Sequence, residues 1–140
     1  MSDQTCFYCV KDQRLNDLMI EICELKASTL YLFKEQTYRG RCIVACKGHV
    51  NELFELPPEE RNLFMADVAN VAAAIKKAFG ADKINYGAYS DKLPHLHFHL
   101  VPKYQDGPSW GSTFAMSPED KIMLQEAEYN QLIQKIKESL

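Results

Sequence analysis

His95-Leu96-His97-Phe98-His99-Leu100-Val101 carries three of the chain's four histidines, each separated from the next by one apolar residue. Successive side chains of a β-strand point to opposite faces. On a strand, His95, His97 and His99 therefore line one face, with imidazoles roughly 7 Å apart along it. Leu96, Phe98 and Leu100 line the other face and can dock on a core. A face of three imidazoles needs partners, solvent or a ligand, and three readings compete. The rings can be satisfied core residues, two or three of them can converge on one Zn²⁺, or one can act as a nucleophile. A neutral imidazole is nucleophilic near pH 7 because its unperturbed pKa lies near about 6.5. Attack on phosphorus gives a phosphoramidate that water later hydrolyses, dividing one slow displacement into two.

The flanking sequence suits a single domain over residues 1–140. That length suffices to bury a core, and 46% apolar and 25% charged residues are ordinary for a globular protein. With a net charge of -3, no broad footprint for nucleic-acid polymers or anionic membranes is evident, and any anionic ligand has to be held locally. Apolar runs fall well short of the roughly 18 residues of a membrane helix, and no signal-peptide h-region is evident, so a cytoplasmic protein is expected. Five cysteines, an odd number, with two spaced as Cys6-Phe7-Tyr8-Cys9, suit metal or redox chemistry better than a disulfide framework.

Residues 12–28 read as a poorly patterned helix, Leu30-Tyr31-Leu32-Phe33 as a strand, and residues 41–46 as a second strand in mid-sheet. The clearest helix is 58–79. Pro58 suits its first turn, Glu59 and Glu60 complement its positive end, and Gly80 suits its stop. Phe64, Val68, Val71, Ala72, Ile75 and Phe79 share one face at helical spacing. A strand is expected over 83–89, a turn at Ser90-Asp91-Lys92, and an end to the histidine strand at Pro102. Residues 104–117, with the only Trp, read as irregular surface. A last helix, about 125–139, gathers Tyr129, Leu132, Ile133, Ile136 and Leu140. Strand–strand–helix–strand–strand with short links argues an α+β fold with a mainly antiparallel sheet.

The histidine stretch matches the His-φ-His-φ-His-φ-φ signature of the histidine triad (HIT) superfamily at every position. The strand Arg41 to Cys46 running into Lys47-Gly48-His49, the helix 58–79, Asn85 and Pro102-Lys103 also resemble family counterparts, so the resemblance covers about residues 30–104. It implies a five-stranded antiparallel sheet with a long helix packed on it, a homodimer, and hydrolysis or transfer of a nucleoside monophosphate group. It implies that His97 is the nucleophile, that His99 contacts phosphate and helps orient or protonate the site, and that Asn85 bonds near the phosphate and leaving group.

Cys6 and Cys9 alone fit a zinc knuckle, a redox pair or coincidence. His49 favours the first, since two thiolates and two imidazoles close a tetrahedral Zn²⁺ site. The zinc-binding branch of the superfamily implies the set Cys6, Cys9, His49 and His95, with the zinc structural. Cys23, Cys42 and Cys46 read as apolar filler.

The resemblance also has gaps. Ser90-Asp91-Lys92-Leu93-Pro94 stands where many members have Gly-Gln-Ser. Ser90 and Lys92 become candidates for the phosphate, with Asp91 opposing them. Glu35 stands near the place of a ribose-holding Asp, and Trp110 can stack on a base or pack at an edge. The leading expectation is a nucleotide hydrolase or nucleotidyl transferase acting through a nucleotidyl-His97 intermediate. The alternative is a zinc-stabilised nucleotide-binding or regulatory module with little catalysis, and a three-histidine metalloenzyme is a third reading.

Overall fold

The computed structural model describes residues 4–140. After a single helical turn, α1 (Phe7–Val10), come α2 (Gln13–Leu18), β1 (Met19–Glu24), β2 (Ser28–Phe33) and β3 (Cys42–Cys46). The long helix α3 (Pro58–Phe79), β4 (Lys83–Gly87), β5 (His97–Lys103) and α4 (Glu126–Ser139) complete the chain. The five strands form one antiparallel sheet in the order β1-β2-β3-β5-β4. The fold is α+β, with α3 and α4 on one face.

That face holds the larger core. Leu30, Leu32, Cys42, Val44 and Leu100 from the sheet, with Leu96 just before β5, meet Phe64, Val68, Val71, Ala72 and Ile75 of α3 and Leu132 and Ile136 of α4. The helix bounds follow local chemistry. Pro58 opens α3, where a missing N–H costs nothing, and Gly80 closes it in the left-handed conformation at φ 62°. Cys42 and Cys46 are buried in this core, and Cys23 packs against it.

The expected helix over 12–28 is corrected. Only Gln13–Leu18 is helical, and Met19–Glu24 is an edge strand paired with β2. The register shifts between Glu21 and Cys23, which leaves Ile22 as an extra residue in the strand. As a result Ile20, Ile22, Cys23 and Leu25 all reach the helix-covered core. A bulge of this kind destroys the period of two and leaves a pattern that looks helical. The ladder of β4 ends at Gly87, two residues short of the strand expected to reach Tyr89, and the histidine strand enters its ladder only at His97. Leu140 does not join the buried face of α4; it is half exposed. Among the described residues, no helix is long and apolar enough to cross a membrane.

Candidate active site and metal centre

On the other face of the sheet, Tyr31, Ile43 and Ala45 join Cys6, Tyr8, Leu15 and Met19 in a second, smaller core. The alternation expected of the histidine stretch holds. Leu96 and Leu100 point into the helix-covered core, while His95, His97 and His99 are buried on the opposite face at 1%, 7% and 6% exposure. The rings of His97 and His99 are neighbours, with centroids 5.2 Å apart, and the Tyr8 ring lies 5.1 Å from both His95 and His97.

The three imidazoles are held by different partners. His95 Nε2 lies 2.7 Å from the Cys46 carbonyl oxygen. A carbonyl only accepts, so Nε2 carries the proton and Nδ1 presents its lone pair. That nitrogen faces the thiols. Cys6 Sγ to His95 Nδ1 is 3.4 Å, Cys9 Sγ to His95 Nδ1 3.6 Å, Cys9 Sγ to His49 Nδ1 3.3 Å, and His49 Nδ1 to His95 Nδ1 3.1 Å. All four ligand atoms lie within 4.8 Å of one another. A tetrahedron with ordinary Zn–S and Zn–N bonds has S···N edges of about 3.6 Å and N···N edges of about 3.3 Å. The donor set fits such an ion, and the Cys46 carbonyl is the outer partner that orients a histidine ligand.

His97 is oriented the other way round. Its Nδ1–H donates to the His95 carbonyl oxygen at 2.7 Å, so Nε2 carries the lone pair. Ser90 lies in the left-handed region at φ 64°, which brings its hydroxyl to 3.3 Å from the same carbonyl and 3.2 Å from His97 Nδ1. Burial lowers the His97 pKa, and the bond to the His95 carbonyl partly offsets this. His99 Nδ1 meets Arg41 Nη2 at 3.1 Å. The triad therefore does not converge on a single ion, contrary to what a three-histidine metalloenzyme requires. Arg41, fully buried, was not singled out from the sequence; an Arg in an otherwise apolar strand was the available signal.

His97 and His99 open onto a cavity of about 500 Å³, of the size that takes a small-molecule ligand. Phe7, Tyr8, Met19, Phe33 and Ile43 give it an apolar half, and Ser90, Asp91 and Lys92 a polar rim. The irregular segment expected at the surface supplies one wall through Phe114 and Met116. Gly87 makes this possible, because a Cβ there would come within 2.8 Å of the Phe114 ring. A groove of about 650 Å³ beside α3 and α4 is larger but contains no imidazole or thiol, and the carboxylate of its Asp67 is engaged by Ala27 N–H and Ser28 Oγ.

Other candidates lie elsewhere. Asn85 lines a separate depression with Ser112 and Thr113, and its Oδ1 accepts from the buried Lys103 Nζ at 3.2 Å. Glu35 is buried and accepts from Thr37 N–H, Thr37 Oγ1 and Ile122 N–H. It anchors two loops and is not among the residues lining the cavity. Trp110 is 43% exposed and outside the cavity lining.

Comparison with known proteins agrees with this fold. The chain is 27% identical to an adenosine 5'-monophosphoramidase of Schizosaccharomyces pombe, over 83% of this chain and 90% of that one. It is 28% identical to the adenosine 5'-monophosphoramidase of Saccharomyces cerevisiae, over 72% of this chain, and spans only 64% of that relative's length. Among solved structures, a histidine triad protein of Sinorhizobium meliloti superposes with a TM-score of 0.84 at 28% identity, covering 92% of this chain and 95% of that one. A zinc-bound histidine triad protein of Mycobacterium smegmatis gives 0.67 at 22% identity, covering 96% and 94%. Residues 16–106, which include the whole triad, match the HIT domain, and this chain belongs to the HIT family.

Proposed function

We propose that the protein hydrolyses nucleoside monophosphate derivatives, phosphoramidates foremost, through a covalent intermediate on His97. The observation that carries this reading is the 2.7 Å bond from His97 Nδ1–H to the His95 carbonyl oxygen. It leaves the Nε2 lone pair as the free nitrogen of a ring lining the cavity. Burial keeps that ring neutral at pH 7, the state a nucleophile needs.

In the first step His97 Nε2 bonds to the α-phosphorus while the bond from phosphorus to the leaving amine or oxygen breaks. The leaving group departs with a proton from solvent. Water then adds to phosphorus, the P–Nε2 bond breaks, and the nucleoside monophosphate is released. His99 serves the phosphate oxygens, with Lys92 and Ser90 on the rim beside it, while Asn85, expected near the phosphate, lies outside this cavity and is bonded to Lys103. The apolar half of the cavity suits a nucleobase. The phosphoramidase activity named for the two yeast relatives supports the leaving-group class.

Cys6, Cys9, His49 and His95 would hold a Zn²⁺ as a four-ligand structural site, and its contribution would be to fix the Phe7-Tyr8 turn that walls the cavity. A binding module with little catalysis is the second reading. It is favoured by Asp91, whose carboxylate shares the rim with Lys92 and opposes an anion. Incubation with an adenosine 5'-phosphoramidate followed by rapid acid-free quench and mass spectrometry separates the two. Hydrolysis predicts a nucleotidyl adduct on the peptide holding His97, and a fall in turnover of about a thousandfold or more for His97→Ala. Undiminished turnover in His97→Ala would sink the proposal, and nucleotide binding without turnover in wild type would select the module.

A further inference from the structure

Arg41 is the largest of the fully buried side chains, at 0% exposure. It enters at the start of β3, directly beneath the site. Its Nη2 lies 3.1 Å from His99 Nδ1 and 3.1 Å from the Met116 carbonyl oxygen, and Nη1 reaches the Ala115 carbonyl at 3.5 Å. Its guanidinium lies 4.2 Å from the centroid of the Phe33 ring and 5.3 Å from that of Phe114. Among the described residues, the side-chain ion pairs are Lys11–Glu21 and Arg14–Asp12, so this buried cation has no carboxylate at contact distance. Glu35, the acidic group it feels most, is tied to Thr37 and Ile122. An unpaired cation in the interior is expensive, and its placement against one imidazole nitrogen calls for a reason.

The reason lies in hydrogen-bond direction. A guanidinium carries only N–H donors and cannot accept. The nitrogen facing it must present a lone pair, so His99 Nδ1 is unprotonated and the proton of the neutral ring sits on Nε2. His97 has the opposite arrangement, fixed by a carbonyl. Two adjacent rings thus offer one cavity a lone pair from His97 and an N–H from His99. A phosphoryl group attacked at phosphorus, with a non-bridging oxygen gaining charge, matches that pair.

We propose that Arg41 is a positioning residue that locks His99 as a neutral Nε2–H donor, so that His99 binds a non-bridging phosphate oxygen and does not deliver a proton to the leaving group. The assignment deepens the proposed hydrolysis and rests on it only for its catalytic consequence. Burial, with the neighbouring Arg41 charge, pushes the His99 imidazole down to about 3, which leaves the ring neutral at working pH. The charged or titratable groups around it are Arg41, just before β3, and His97 on its own strand, with Asp91, Lys92, Tyr8 and Tyr89 lining the same cavity; Phe33 and Phe114 fill the remaining sides.

The test reads ring nitrogens directly. Two-bond proton–nitrogen correlation spectra of the full-length protein with ¹⁵N-labelled histidine should show His99 as the Nε2–H tautomer from about pH 5 to about pH 8. His97 should show the reverse tautomer. In Arg41→Met the His99 lock should be lost, giving mixed tautomers and a pKa raised toward the ordinary range. With an adenosine phosphoramidate, kcat should fall about tenfold or more with little change in KM, and Arg41→Lys, which keeps a cationic donor, should recover part of the loss. A wild-type His99 protonated on Nδ1, or charged at neutral pH, overturns the proposal. So does an Arg41→Met protein with unaltered tautomer and kcat. The wild-type spectra need neither substrate nor a folded variant, so failure of the hydrolysis reading and failure of the Arg41 assignment are told apart.

Discussion

The two faces of the sheet are built by different physics. The helix-covered face is apolar filling: Leu30, Leu32, Val44, Leu96 and Leu100 against Phe64, Val68, Val71 and Ile75, contacts without direction. The histidine face buries Arg41, His95, His97 and His99, and each is fixed by a named donor or acceptor. The first face tolerates repacking if volume is kept, because dispersion and burial scale with area. The second does not, because each polar group there costs free energy once its partner is removed. Stability is concentrated on one side of the sheet and specificity on the other. β5 serves both, through the alternation of its side chains.

The largest expected effect that tests this division is on the apolar side. Phe64→Ala removes a fully buried ring from α3 and should cost about 4 kcal/mol in chemical unfolding. Metal content and kcat of the molecules that remain folded should be unchanged. Loss of metal in this variant would show that the faces are not independent.

The converse comes second. Cys6→Ser, or a strong chelator, should release about one Zn²⁺ per chain and lower the thermal midpoint by about 10 °C. Nucleotide affinity should weaken as well, because Phe7 and Tyr8 wall the cavity. His97→Ala should keep its metal. An unchanged metal content in Cys6→Ser, measured by elemental analysis, would break the assignment of the four ligands.

The smallest effect concerns acid. The folded-state pKa of His99, about 3, lies below that of an unfolded histidine, so the unfolded chain binds the extra proton first. Stability from this group is complete above about pH 6.5 and is lost as pH falls toward about 3, by about 2 kcal/mol between pH 7 and pH 5. Urea unfolding at both pH values should show this loss in wild type and a smaller one in His99→Gln. Equal losses would mean that the imidazole is already charged in the folded protein.

Much of this division was legible beforehand. The histidine alternation and the bounds of α3 follow from local periodicity and caps, and the set Cys6, Cys9, His49 and His95 from ligand chemistry together with the resemblance to the zinc-binding branch. β1 was not legible, because the bulge at Ile22 erases the period of two. Nor was Glu35, placed by position near the ribose but used by the fold to hold Ile122.

What the sequence determined by itself is therefore the set of groups and the face each one takes, since strand and helix periods are properties of the chain alone. Only the tertiary structure decided which nitrogen of each imidazole is free. That choice depends on whether a carbonyl of Cys46, a carbonyl of His95 or the guanidinium of Arg41 stands opposite the ring. Of these, only the His95 carbonyl is close in sequence to the ring that it sets. The other two partners are brought in by the pairing of β3 with β5, a long-range contact that no local pattern encodes.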